Sequence, residues 1–106
     1  MNWIYLFIAA LFEMGWPLGL KLSQTMNSKV PGIALALIAM TLSGVFLWLA
    51  QRTIPIGTAY AVWTGIGASG TFLIGVLFFK DTASLLQVMS VALIIIGVAG
   101  LKLFQP

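Results

Sequence analysis

Cysteine and histidine are both missing from this 106-residue chain, and acids nearly so: Glu13 and Asp81 are the only two. Without Cys or His there is no disulfide framework, no Cys/His metal site and no imidazole for proton transfer. Neither a metal nor a cofactor is expected. Charge of any sign is scarce, at 7% of residues against 61% hydrophobic, whereas a soluble surface needs about a quarter of its residues charged. The chain is therefore read as an all-α integral membrane protein. Its five Lys and Arg residues are scattered along the sequence, so they form no basic face for nucleic acid. The high pI follows from the shortage of acids.

What the chain does have is four long apolar segments, 3–22, 31–50, 58–79 and 83–104, separated by short polar breaks. Each is close to the ~20 residues that a helix needs to cross ~30 Å of hydrocarbon. Helices are expected throughout, because an open backbone finds no partners in lipid and the period-2 alternation of a membrane barrel is missing. The first segment does not read as a cleaved signal: no basic residue precedes it and Glu13 interrupts it. A single four-helix domain over 1–106 is the expected organisation, with no 20 to 50 residue repeat.

The basic residues divide almost evenly between the two ends of such a bundle. Arg52 and Lys102 fall on one side, and Lys21, Lys29 and Lys80 on the other. Orientation is set by an excess of Lys and Arg in short loops, and two against three leaves little excess to act on. Insertion in both orientations is therefore expected. Four thin helices also cannot enclose a polar path around one acid, so at least a dimer is expected, antiparallel if both orientations occur.

Glu13 is the main functional candidate. A charge at bilayer depth costs ~2.5 kcal/mol or more and is rarely kept without a use, so Glu13 reads as a binding or proton-carrying group. The alternative is a structural ion pair with Lys21, two turns along the same helix. At helical spacing Ala9, Glu13, Trp16 and Leu20 share a face, with Ala10 and Pro17 beside it. Pro17 has no N–H and crowds the carbonyl of residue 13, so a bend beside the acid is expected, with a tolerated membrane kink as the plainer reading.

Tyr60, Trp63 and Gly67 make a second stripe, in the third segment. Their hydroxyl, indole N–H and aromatic faces suit a carboxylate or a bound cation. Trp63 lies too far inside its segment for the interfacial belt, which fits Trp3 and Tyr5 better. Gly65, Gly67, Gly70 and Gly75 permit close packing or bending in that segment. Ser43, near the middle of the second segment, is a polar candidate that otherwise bonds its own helix backbone. Gly97 and Gly100, in an aliphatic run, read as a packing surface between subunits.

Glu13 followed by Gly15-Trp16 and Gly19-Leu20-Lys21, together with the string from Pro55 to Gly67, resembles the small multidrug resistance family over the whole chain. Trp16, Trp63-Thr64-Gly65-Ile66-Gly67 and Gly100-Leu101-Lys102 resemble its guanidinium-exporter branch. The resemblance implies an antiparallel, dual-topology homodimer in a bacterial inner membrane, with segments one to three of both copies around one pocket and the fourth holding the dimer. It implies Glu13 as the shared site for proton and cation, with Trp16, Ser43, Tyr60 and Trp63 around it. Two positions depart from the branch, which usually has Gly for Ala10 and Ala for Pro17, and this bears on pocket width and substrate range.

One acid serving two cations implies exchange. Proton and cation compete for the same carboxylate, and a dimer that reorients only when occupied swaps one for the other. A planar guanidinium presents an N–H fork that fits a carboxylate bidentately, with aromatic faces to cover it. The expected activity is proton-coupled export of guanidinium and small substituted guanidinium cations. The alternatives are export of quaternary ammonium or aromatic cations on the same scaffold, or a non-transporting structural subunit. An enzyme is not expected, since no nucleophile has a base beside it and Glu13 has no second acid at depth.

Overall fold

The structure, a computed structural model, describes residues 2–105. It consists of four helices: α1 (Asn2–Thr25), α2 (Val30–Ala50), α3 (Ile56–Phe78) and α4 (Leu85–Leu103). All four are long and apolar enough to span a membrane, and no strand occurs among the described residues. The helix ends differ from the edges of the apolar runs for local reasons. α1 continues past the last apolar residue because the Ser23 hydroxyl bonds back to the Leu20 carbonyl at 2.6 Å, so polar residues are accommodated within the last turn. α2 and α3 start early because Pro31 and Pro55, with φ already fixed, stand at their N-terminal ends. α4 starts late because Ser84 is its N-cap, in a capping box with Gln87. α3 is stopped by Lys80, whose φ of 58° reverses the chain and lets the N–H groups of Phe79 and Asp81 both donate to the Gly75 carbonyl.

α1 and α2 form the tightest pair. Lipid tails give apolar side chains no incentive to leave them, so close approach of backbones has to hold membrane helices together. Gly15, Gly19 and Ser23 lie four apart on α1, against Gly32, Ala36 and Ala39 on α2. A methyl on Gly19 would sit 2.6 Å from both the Ala36 nitrogen and the Gly32 oxygen, so only glycine fits the crossing. Phe12 and Phe46 stack nearby, ring centres 5.9 Å apart.

α3 packs on α1, and α4 packs mainly on α3, with Gly65 receiving Val98 and Ile94. No residue of α4 is fully buried. The main apolar core, Leu6, Ala50, Ile54, Ala59 and Val62, gathers near the start of α1. Contacts of Asn2 with Thr53 and of Trp3 with Lys102 and Gln105 put the chain start, the α2–α3 connection and the end of α4 together. Lys21 and Asp81 share a cavity at the opposite end. The molecule measures 49 × 34 × 17 Å, a flat slab with broad outward faces.

Candidate functional site

Glu13 lies halfway along α1, at the edge of the glycine-lined crossing with α3. Its Oε1 accepts a 2.6 Å hydrogen bond from the Trp16 indole N–H, one turn further on. Gly67 of α3 faces the same side chain, and a Cβ at that position would collide with the Glu13 Cγ. The acid therefore occupies space that α3 leaves by lacking a side chain there. Glu13, Trp16 and Pro17 from α1, with Thr64, Gly67, Ala68 and Thr71 from α3, line a cavity of about 250 Å³ that opens to one side. Thr71 turns its hydroxyl back on the Gly67 carbonyl at 2.7 Å. Lys21, the alternative ion-pair partner for Glu13, instead lines a neighbouring cavity with Asp81.

Ser43, Trp63 and Tyr60 form a separate cluster, one turn of α1 away. The Ser43 hydroxyl donates to the Ala9 carbonyl at 2.7 Å and accepts from the Trp63 indole N–H at 2.8 Å. It bonds a neighbouring helix and not its own, and this one hydroxyl ties α1, α2 and α3 together. Ser43 is 1% exposed, in keeping with a fully used hydroxyl. Tyr60 packs on Trp63 with ring centres 5.3 Å apart and is itself exposed. Within one chain these three flank the Glu13 cavity without lining it.

Of the two departures from the family pattern, Pro17 lines the Glu13 cavity whereas Ala10 is fully buried outside it. Helix α1 runs through Pro17 without a break. Gly65 serves the α3–α4 contact, and a methyl on Gly97 would meet nothing within 4 Å. At Gly100 the nearest atom to such a methyl would be a Phe104 ring carbon, at 3.9 Å. Thr64, Ala68 and Thr71 are cavity residues that reading the sequence missed. Their signal was present, since 64, 67, 68 and 71 share one helical face.

A family model described as Small Multidrug Resistance protein matches residues 1–94. Proteins named guanidinium exporter from Yersinia pestis, Proteus vulgaris and Citrobacter freundii are 47%, 43% and 46% identical to the chain over 103 residues. Each alignment covers 97% of this chain, and 98%, 98% and 97% of the respective relative.

Proposed function

Given that this multi-pass membrane protein belongs to the small multidrug resistance family, we propose that it exports guanidinium and small substituted guanidinium cations in exchange for protons. The working unit is an antiparallel, dual-topology homodimer in a bacterial inner membrane. The observation that carries this reading is Glu13, an acid at mid-membrane in an open cavity, oriented by the Trp16 N–H. Relatives named for guanidinium export, similar over nearly the whole chain, support the substrate class.

Each role follows from chemistry. The ionised carboxylate binds either a proton or a cation, and its charge favours both, so loading one expels the other. Guanidinium directs two N–H groups at the two carboxylate oxygens. Trp16 holds one of those oxygens in place, which limits the side-chain freedom lost on binding. Ser43 fixes Trp63, and Trp63 carries Tyr60, giving aromatic faces beside the acid that can cover a flat cation from either copy of the dimer. Gly97 and Gly100 leave a smooth outward strip on α4 on which a second copy packs.

The test is uptake into vesicles containing the purified protein, with and without a pH gradient, for guanidinium, tetramethylammonium and an aromatic dye at matched concentration. Guanidinium should move fastest and only when the gradient drives it, because a site built on hydrogen bonds rejects cations lacking N–H donors. Glu13→Gln should abolish the flux while the protein still inserts. Faster flux of the quaternary compound would assign the multidrug activity instead, and gradient-driven transport by Glu13→Gln would overturn the exchange mechanism.

A further inference from the structure

At the end of the molecule where α1 starts, an apolar cleft meets a basic side chain with no acid among the residues that line it. A cleft of about 410 Å³ runs between α1, α3 and α4, with apolar walls that include Phe7, Ile66, Ile95 and Ala99, and with Trp3 and Lys102 at its end. The Lys102 Nζ lies 4.6 Å from the centre of the Trp3 ring, and the Trp3 indole N–H donates to Gln105 at 2.9 Å. Trp3 also borders a second cavity, which carries the polar side chains of Asn2, Thr53, Thr58 and Gln105 beside Ile54 and Pro55. One indole thus divides an apolar slot from a more polar one, with an ammonium beside it.

We propose that this is a binding site for an anionic phospholipid, with an acyl chain in the cleft, the phosphate on Lys102 and the headgroup directed at the polar cavity. The charge balance fits an anion. Lys102 and Arg52 are the basic residues at this end, and neither acid is there: Glu13 is midway along α1 and Asp81 lies beyond the far end of α3. A tryptophan at headgroup depth and a lysine whose stem follows apolar surface out to the phosphates suit such a ligand. A second copy of the chain fits another surface of α4. Gly97 is two residues from Ile95, about 200° round the helix, so packing on the Gly97 strip leaves the cleft open to lipid.

The test uses the full chain in symmetric phosphatidylcholine vesicles containing brominated phosphatidylglycerol or brominated phosphatidylcholine at equal fraction. Bromine quenches nearby indoles, and the Trp3 contribution is the difference between the protein and Trp3→Phe. Trp3 should show about a fivefold preference for the phosphatidylglycerol, the ratio that about 1 kcal/mol per basic residue gives. Lys102→Arg should keep that preference and Lys102→Gln should lose it. Equal quenching of Trp3 by the two lipids overturns the proposal, as does a preference that survives Lys102→Gln. Absence of Trp3 quenching by either lipid also overturns it, and assigns the cleft to a partner subunit.

Discussion

At the scale of single residues, the Glu13 cavity depends as much on an absent side chain as on the acid. Gly67 gives the carboxylate its space, and an added methyl has the Glu13 Cγ in its path. Gly67→Ala should therefore weaken guanidinium binding about tenfold, the effect of about 1–3 kcal/mol of overpacking, with insertion unchanged. Titration calorimetry or a competition assay on the purified variant reads this directly. A variant that binds guanidinium as tightly as the wild type at every pH would separate the Gly67 contact from function. Shared occupancy of Glu13 makes a second prediction, with a definite sign. Protons compete with the cation, so the apparent dissociation constant for guanidinium should rise as pH falls, approaching about tenfold per pH unit once the proton-bound form dominates. Affinity that stays flat while Glu13 titrates would rule out a common site.

At the scale of helices, the α1–α2 crossing is a backbone contact and α4 is a loosely held appendage. A methyl on Gly32 would lie 2.5 Å from the Ser23 nitrogen and 2.6 Å from the Gly19 oxygen, and neither backbone atom can turn aside. Gly32→Ala should force the pair apart and cost about 1–3 kcal/mol, seen as a lower midpoint for loss of monodisperse protein on heating in detergent. Gly44→Ala, within α2 and with nothing in the methyl's way within 4 Å, should leave that midpoint in place. An equal loss in both variants would mean that glycine acts through helix flexibility and not through the crossing.

For the molecule as a whole, the fold assigns each basic residue to an end. Arg52 and Lys102 lie with the chain start, and Lys21, Lys29 and Lys80 lie at the far end. The small difference between the ends predicts insertion in both directions. C-terminal reporters active only in the cytoplasm and only in the periplasm should both give signal. Arg52→Gln, which leaves one basic residue against three, should make the population nearly uniform, with the Lys21, Lys29 and Lys80 end in the cytoplasm. Signal from one reporter alone in the wild type would remove the basis for an antiparallel dimer.

The amino-acid sequence alone determined the membrane class, the four spans and Glu13 as the residue to explain, because hydropathy and the cost of a buried charge act locally along the chain. Helical spacing likewise joined Glu13 to Trp16, which the 2.6 Å hydrogen bond bears out. Which helix faces met was beyond it, since lipid makes every apolar face equally acceptable and contact is settled by small residues far apart in sequence. That is why Gly19 against Gly32, and Gly67 against Glu13, emerge only in three dimensions. Ser43 shows the same limit. A lone membrane serine is expected to bond its own helix, but here the Ala9 carbonyl and the Trp63 indole, 34 and 20 residues away, lie within reach of its hydroxyl and take it instead.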